Sequence, residues 1–257
     1  MNKVALITGA TAGFGKAIAE RLAKDGCDVI ITGRRKELLH ELKLQIEKAY
    51  NVRVLPLCFD VRSYEDVEKN LGNLSPEWGN IDILVNNAGL AVGLSPIYEG
   101  IIDDWERMID TNIKGLLYVT RVVSPGMISR KSGHILNLGS IAGREVYPNG
   151  NVYCATKHAV KALSQAMRLD MLQYGIKVTL IAPGFAETEF SLVRFKGDKS
   201  RADKVYEDMQ PLVAEDIADT VAYAVSAPDH VDIQDILVMP KAQGNATLFH
   251  KEKKEKN

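Results

Sequence analysis

One tyrosine in this sequence has the neighbour that acid–base chemistry needs. Of the nine tyrosines, only Tyr153 is followed four residues later by a lysine, Lys157. Residues i and i+4 of a helix share a face, so the ammonium can lie near the phenol. A free phenol has a pKa of about 10, and a nearby positive charge favours the phenolate, which acts as a general base. The same spacing also suits a half-buried tyrosine beside a surface lysine.

A serine hydroxyl is the second candidate group. Ser140 follows the apolar run His134-Ile-Leu-Asn-Leu-Gly, of the kind that forms a buried strand. Open parallel sheets bind ligands at the carboxyl ends of their strands, where this hydroxyl could hold a substrate oxygen against Tyr153. A serine at this position is also a common cap or turn residue. His134 and His158 have no acidic or metal-ligand partner at useful spacing, so both are predicted to be structural.

A glycine-rich turn near the N-terminus predicts a phosphate-binding loop. The turn follows the first predicted strand and opens the first predicted helix. Glycine permits close backbone approach, and the helix N-terminus directs free N–H groups at a pyrophosphate. No G-K-[ST] follows, which excludes a nucleoside-triphosphatase loop. The predicted dinucleotide-binding residues are Thr8, Gly9, Ala10, Thr11, Ala12, Gly13, Phe14 and Gly15.

The end of the second strand indicates which dinucleotide binds. An acidic residue there holds the ribose 2′-hydroxyl of NAD, whereas a 2′-phosphate favours guanidinium groups. The sequence has Arg34 and Arg35 at this end, and Asp28 falls at the opposite end. Arginines that merely solvated the next helix start would oppose its dipole, so an anion partner explains them better. NADP(H) is therefore predicted over NAD(H), with both arginines on its 2′-phosphate.

Alternating apolar runs and amphipathic stretches must position these groups. They predict an α/β protein with a Rossmann-type, doubly wound parallel sheet of about seven strands, because strands buried on both faces form unbroken Val/Ile/Leu runs. Strands are expected at residues 4–8, 29–32, 52–59, 83–86, 134–138, 178–181 and 236–239. Helices on both faces are expected at residues 14–24, 35–50, 64–71, 104–124, 152–174 and 214–226.

The organisation along the chain predicts a single domain over residues 1–250, since no stretch has the composition of a linker. Residues 90–100 and 185–206 break the alternation and follow strand ends, so both are expected to be lids over the site. The final segment, residues 251–257, reads KEKKEKN and predicts a charged, flexible tail rather than a nucleic-acid or membrane contact.

Composition argues against several classes of protein. The 257 residues carry 32 Lys plus Arg and 33 Asp plus Glu, a net charge of −1 that attracts neither nucleic acid nor an anionic membrane. The longest uncharged stretch, residues 83–98, is too short and polar for a membrane span, and the first residues do not form a secretory signal. Three widely spaced cysteines predict no disulfide framework and no metal site. A cytoplasmic, metal-free protein is expected.

These motifs together resemble the short-chain dehydrogenase/reductase family, over essentially the whole chain. The family's T-G-x-x-x-G-x-G is found at residues 8–15, its N-N-A-G at 86–89 and its Y-x-x-x-K at 153–157. The resemblance implies a catalytic tetrad of Asn112, Ser140, Tyr153 and Lys157. It further implies cofactor contacts by Tyr153 and Lys157 of that tetrad and by Asp60, Val61, Asn87, Ala88, Gly89, Pro183, Gly184 and Thr188.

The reaction implied by this resemblance is hydride transfer between the nicotinamide and the carbon that bears the substrate hydroxyl. Tyr153 would exchange the hydroxyl proton, Ser140 would orient the oxygen, and Lys157 would lower the pKa of the tyrosine while binding the nicotinamide ribose. Asn112 would interrupt its helix to hold a water that links the lysine to solvent. The family commonly forms tetramers through its long helices, so a homo-oligomer is expected.

Within the family, the stretches TGRR, IDTNIKG and VRFKGD are most similar to NADP-dependent 3-hydroxy acid dehydrogenases, including serine and allo-threonine dehydrogenases. The implied substrate is one of these small hydroxy acids, 3-hydroxypropionate, or the matching semialdehyde or keto acid. Its carboxylate needs a counter-charge, for which Arg194 is the first candidate and Arg144 the second. A carbonyl reductase of neutral ketones, sugars or sterol-like alcohols would share the tetrad, whereas a non-catalytic NADP(H) sensor would be expected to lack part of it.

Overall fold

A seven-stranded sheet forms the centre of the structure, a computed structural model that describes residues 2–200, 206 and 209–250. Its strands are β1 (Val4–Ile7), β2 (Asp28–Gly33), β3 (Val54–Cys58), β4 (Ile81–Asn86), β5 (Gly133–Leu138), β6 (Ile176–Pro183) and β7 (Asp235–Val238). They lie in the order β3-β2-β1-β4-β5-β6-β7, and every neighbouring pair is parallel. This order reverses direction at β1, as in a Rossmann-type fold, and confirms the predicted fold class.

Helices cover both faces of the sheet. They are α1 (Gly13–Lys24), α2 (Lys36–Ala49), α3 (Tyr64–Leu71), α4 (Ile102–Ile109), α5 (Leu116–Arg130), α6 (Asn151–Met171), α7 (Glu189–Arg194) and α8 (Ala214–Ser226). Alternate residues of β1 serve opposite faces: Ala5 and Ile7 pack with α1, α2 and α8, whereas Val4 and Leu6 pack with α3, α5 and α6. All four of these side chains are buried, which explains the unbroken apolar run.

The helix predicted over residues 104–124 is not continuous. α4 and α5 are joined by a π-helical turn, Asp110–Gly115, and α5 extends to Arg130. π-Helices are rare, occur mostly as single turns within α-helices, and are frequent at functional sites. This one contains Asn112, the residue that the family resemblance expects to interrupt its helix.

The two predicted lids follow β4 and β6. Residues 90–100 form an extended loop with a short 3-10 turn at Ile97–Glu99, and the second lid contains α7. Part of the second lid, residues 201–205, and the predicted tail, residues 251–257, lie outside the described residues. Within the described ranges, no helix has the length and apolarity to cross a bilayer, and no His, Cys, Asp and Glu side chains are grouped to hold a metal.

Candidate active site

The glycine-rich loop joins β1 to α1 at the carboxyl edge of the sheet. Gly9 and Gly13 have φ angles of +67° and +52°, in the left-handed region that favours glycine. A Cβ on Gly15 would lie 2.3 Å from the carbonyl oxygen of Gly9, so any side chain there would force the turn apart. Ala12 caps α1 without a side-chain hydrogen bond, which leaves N–H groups of the first turn for an anionic ligand.

A cleft of about 270 Å³ opens beside this loop. Most of the predicted cofactor-binding residues border it: Gly9, Thr11, Ala12, Gly13, Phe14, Arg34, Arg35, Asp60, Val61, Asn87, Ala88, Gly89, Tyr153, Lys157 and Thr188. Pro183 and Gly184 border a neighbouring cavity instead. The cleft thus connects the glycine-rich loop with the tyrosine and lysine of α6.

Three loop positions, Thr8, Ala10 and Gly15, lie behind the cleft lining and are buried. The Thr8 hydroxyl accepts hydrogen bonds from the backbone N–H groups of Asn87 and Ala88, at 3.0 and 2.9 Å. The Asn87 amide in turn donates to the Thr8 carbonyl at 2.8 Å. These bonds fix the ends of β1 and β4 to each other, so Thr8 shapes the cleft rather than facing it.

The arginine pair borders the cleft at the end of β2. The Arg35 guanidinium donates to the Thr11 hydroxyl at 2.9 Å and lies 3.1 Å from a Glu189 carboxylate oxygen of α7. Arg34 lies 3.8 Å from Asp60. Both guanidinium groups are about half exposed and therefore free to meet a further anion at the cleft. The region combines positive charge with the end of the phosphate loop, as the sequence predicted.

Two carboxylates near this strand have different roles. Burial opposes ionisation of Asp60, but hydrogen bonds from Arg62 and its positive charge outweigh this and hold the pKa of Asp60 below its ordinary value. Asp60 borders the cleft beside Arg34. Asp28 begins β2 at the other end, where it is buried and paired with Arg53 at 2.7 Å. Asp28 is therefore structural, as its position in the strand predicted.

The tyrosine, lysine and serine meet where β5 and α6 converge. Lys157 Nζ lies 6.0 Å from the centre of the Tyr153 ring and donates a 2.8 Å hydrogen bond to the carbonyl of Leu138, the last residue of β5. Burial lowers the pKa of Lys157 to about 8. The Ser140 hydroxyl accepts from the N–H of Ala142 at 3.1 Å, and it lies close enough to Tyr153 to lower the pKa of the phenol.

The acid–base properties of Tyr153 differ from the expectation. Burial raises the pKa of this phenol well above its ordinary value, and the nearby Arg194 guanidinium and the Ser140 hydrogen bond lower it only in part. Lys157 was expected to supply the main lowering effect, but its ammonium points to the Leu138 carbonyl. Desolvation therefore outweighs the lysine charge, and the neutral phenol is the resting form of Tyr153.

Asn112 connects the π turn to the first lid and to α6. Its side-chain oxygen accepts from the N–H of Leu90 at 2.8 Å, and its amide donates to the Leu90 carbonyl at 2.9 Å and the Thr156 hydroxyl at 3.0 Å. The residue is buried near Lys157 and Gly89. The side-chain amide therefore fixes the turn by direct bonds to protein groups, which leaves any water-holding function to the turn's backbone.

A second cavity, of about 430 Å³, meets the cleft at Tyr153. Both lids reach it, the first through Leu94 and the second through residues of α7 and its surroundings. Among the described residues that line it, Arg194 is the single charged side chain. Sequence reasoning did not bring its aromatic walls together, because these residues come from loops and helix ends far apart in the chain: Phe14, Tyr147, Phe185, Phe190, Phe195, Tyr206 and Phe249.

Arg194 lies among three aromatic rings of this cavity. Its guanidinium carbon is 5.0 Å from the ring centre of Tyr153, 5.6 Å from that of Tyr147 and 5.5 Å from that of Phe190. One of its terminal nitrogens donates to the Tyr147 hydroxyl. Its Nε is buried and has no hydrogen-bond partner within the described part of the chain. A buried unpaired donor is costly, so this position suits an acceptor from a ligand.

The alternative cation, Arg144, does not reach the cavity. Its guanidinium forms an ion pair with Asp235 at the start of β7, and Arg144 borders neither the cleft nor the cavity. Asp235 is 91 residues away along the chain, so the local sequence gave no sign of this pairing. Arg144 is therefore positioned away from the cavity, whereas Arg194 lines it. The two histidines lie as predicted, with His134 bonded to Thr179 and His158 to the Cys154 carbonyl.

A parallel sheet with a phosphate loop, a pair of arginines and a serine beside a buried tyrosine and lysine defines a class of nucleotide-dependent oxidoreductases. Residues 3–198 match the family model described as short chain dehydrogenase, and the chain belongs to this family.

Curated relatives and a solved structure support a narrower likeness. The NADP-dependent 3-hydroxy acid dehydrogenase of Escherichia coli K12 is 48% identical over 246 residues, which cover 95% of this chain and 98% of that protein. The protein of the same description in Schizosaccharomyces pombe is 42% identical over 251 residues, 97% of each chain. The closed form of serine dehydrogenase complexed with NADP⁺ has a TM-score of 0.90 and 47% identity, covering 97% of this chain and 100% of that one.

Proposed function

We propose that this protein is an NADP-dependent dehydrogenase of small 3-hydroxy acids. Its substrates would be 3-hydroxypropionate, serine, allo-threonine or the matching semialdehydes and keto acids. The observation that carries the proposal is the Arg194 guanidinium, which lies 5.0 Å from the Tyr153 ring. Among the described residues it is the single charged group that lines the cavity, and its buried Nε has no partner among them. A carboxylate would satisfy this nitrogen while its hydroxyl-bearing carbon lay near Tyr153. The dehydrogenase relatives support the same assignment.

The cleft fits NADP. Open N–H groups at the start of α1 would bind the pyrophosphate, and Arg34 and Arg35 would bind the 2′-phosphate, which carries a charge of about −1.5 to −2. When bound, NADP supplies or accepts hydride at its nicotinamide ring. The remaining proposed contacts would be made by Asp60 and Val61 to the adenine, Lys157 to the nicotinamide ribose, and Asn87, Ala88, Gly89, Pro183, Gly184 and Thr188 around the nicotinamide half.

In the proposed mechanism the chain supplies positions and protons. Ser140 holds the reacting oxygen beside Tyr153, with which it shares the second cavity. The phenol of Tyr153 donates its proton to the substrate oxygen in the direction of reduction, and in oxidation its phenolate takes up the hydroxyl proton. Lys157 and the turn that contains Asn112 would connect this proton to solvent. The raised pKa of Tyr153 suits the donor role, and oxidation needs additional positive charge at the site to favour the phenolate.

The raised pKa of Tyr153 predicts opposite pH dependences for the two directions. Because the phenolate fraction grows with pH throughout the neutral range, kcat/KM for oxidation of 3-hydroxypropionate should rise from about pH 6 to about pH 8. Reduction of the semialdehyde, which uses the neutral phenol, should stay level or fall over the same range. Initial rates in both directions measure this, and an oxidation rate that declines with pH would contradict the assignment.

If Arg194 binds the substrate carboxylate, Arg194→Gln should lower kcat/KM for acidic substrates more than for neutral ones. The variant should shift the kcat/KM ratio of 3-hydroxypropionate over its methyl ester by about 10-fold to 100-fold against the acid, the value of one charge-assisted hydrogen bond. Arg144→Gln, an arginine outside the cavity, serves as the matched control and should keep the wild-type ratio. Equal losses on acid and ester would remove Arg194 from this role. A wild-type preference for the ester would favour the carbonyl reductase alternative.

A homo-oligomer, most simply a tetramer, is part of the proposal. The helices expected to pair across subunits carry exposed apolar side chains: Ile102 and Ile109 on α4, Leu117 on α5 and Leu169 on α6, which are 59, 38, 38 and 75% exposed. Such exposure supports contact with a second copy of the chain. We also place the enzyme in the cytoplasm, since its three cysteines are all free, as in a reducing compartment.

A further inference from the structure

The end of α7 is fastened to the opposite side of the cavity by two contacts. The N–H of Gly93, in the first lid, donates to the Arg194 carbonyl at 3.1 Å. Two residues further on, Lys196 Nζ lies 2.8 Å from Asp104 Oδ2 in the first turn of α4. Arg194 thus lies beside both contacts, and they hold the segment whose guanidinium lies over the Tyr153 ring.

The carboxylate in this contact is buried. The Asp104 side chain is only 6% exposed, whereas that of Lys196 is 49% exposed. A buried charge is costly without an opposite charge beside it, so Asp104 favours the position of α7 in which Lys196 is docked. Gly93 packs directly against this carboxylate, because a Cβ there would lie 2.9 Å from Asp104 Oδ2. The lack of a side chain at Gly93 therefore brings the two lids together around Asp104.

The backbone of Lys196 is also unusual. Its φ angle is +53°, in the left-handed region that lysine rarely adopts. Gly197, with φ of +92°, donates to the Leu192 carbonyl at 2.9 Å and ends α7 in a tight turn. Such strained conformations persist where the surroundings fix them, and they cluster at functional sites. Here the turn directs the lysine toward Asp104.

We propose that the Lys196–Asp104 ion pair is a positioning device that holds Arg194 in the cavity and so sets the affinity for acidic substrates. This inference rests on the proposed role of Arg194 as the carboxylate partner. Asp104, Arg194 and Tyr153 border one small pocket of about 20 Å³, so a displacement of α7 at Lys196 reaches Arg194 directly. The ion pair touches neither the reacting oxygen nor Ser140, so it affects substrate binding rather than proton transfer.

The test compares Lys196→Gln with Lys199→Gln, a control at an exposed lysine three residues further on. Lys196→Gln should raise KM for 3-hydroxypropionate by about tenfold and change kcat by no more than about twofold. KM for the methyl ester should rise far less, and Lys196→Arg, which keeps the charge, should recover most of the affinity. The Lys199→Gln variant should behave as the wild type with both substrates.

A double variant separates positioning from a general effect on folding. Lys196→Gln added to Arg194→Gln should raise KM for the acid no further, since the lysine acts through the arginine. If Lys196→Gln matches Lys199→Gln while Arg194→Gln still discriminates acid from ester, the positioning role is wrong and the carboxylate role stands. If Arg194→Gln affects acid and ester equally, the carboxylate role fails and the positioning role fails with it.

Discussion

Tyr153→Phe should lower kcat for the oxidation of 3-hydroxypropionate by about 10²-fold to 10⁴-fold, the usual contribution of a positioned acid or base. The change removes only the hydroxyl that exchanges the proton. The ring remains, so its contacts with Phe190, at 5.6 Å between ring centres, and with the Arg194 guanidinium are kept. NADPH binding, followed by fluorescence, should therefore stay close to wild type, while absorbance at the reduced nicotinamide band reports the lost turnover.

Tyr147→Phe is the matched control for this substitution. Tyr147 is a second tyrosine of the same cavity, and its hydroxyl accepts a hydrogen bond from Arg194. Losing that bond should raise KM for the acid more than it lowers kcat, because Tyr147 moves no proton in the mechanism. A Tyr153→Phe enzyme that kept more than about a tenth of the wild-type kcat would remove Tyr153 from the acid–base role.

Replacing both Arg34 and Arg35 with glutamine should lower kcat/KM for NADP by about 10²-fold or more, because each charge-assisted hydrogen bond contributes about 1.5–3 kcal/mol. NAD has no 2′-phosphate, so its kcat/KM should change little and the cofactor preference should be lost or reversed. The measurement is kcat/KM for each cofactor at a fixed concentration of 3-hydroxypropionate.

Lys36→Gln gives the control for positive charge near this cleft. Lys36 is the next residue along the chain, is exposed and does not border the cleft. Its variant should keep the wild-type cofactor preference. The assignment would be contradicted by a wild-type enzyme that used NAD as well as NADP, or by a double arginine variant that weakened both cofactors equally.

The fold was predictable because its signal is local. The seven predicted strands all occur, and their ends differ from the observed ones by two residues at most. Both faces of β1 are buried, so its run of apolar residues is recognisable without knowledge of any partner. The phosphate loop was predictable for a related reason, since the φ angles of Gly9 and Gly13 favour the residue type found there.

What could not be predicted depends on contacts distant in sequence. The helix expected over residues 104–124 is interrupted because Asn112 bonds to Leu90 and to Thr156, 22 and 44 residues away. Which of Arg194 and Arg144 reaches the cavity depended on Asp235, because this residue of β7 forms an ion pair with Arg144. Periodicity and spacing carry no information on such pairs.

The protonation state of Tyr153 was also not predictable from the sequence. The four-residue spacing correctly brings Lys157 to the face of α6 that carries Tyr153. It gives no measure of burial, which raises the pKa of the phenol more than the nearby charges lower it. Spacing therefore indicated that the two side chains lie together, but not the protonation state in which Tyr153 rests.

We propose that Tyr153, beside Arg194, exchanges a proton with a small hydroxy acid while NADP exchanges hydride with it. The most direct measurement mixes the wild-type protein with NADP⁺ and either 3-hydroxypropionate or its methyl ester, and follows absorbance at the reduced nicotinamide band. We expect NADPH to form with the acid at a higher kcat/KM than with the ester. Turnover of the ester without turnover of the acid, or no turnover of any hydroxy acid with either cofactor, would contradict this mechanism.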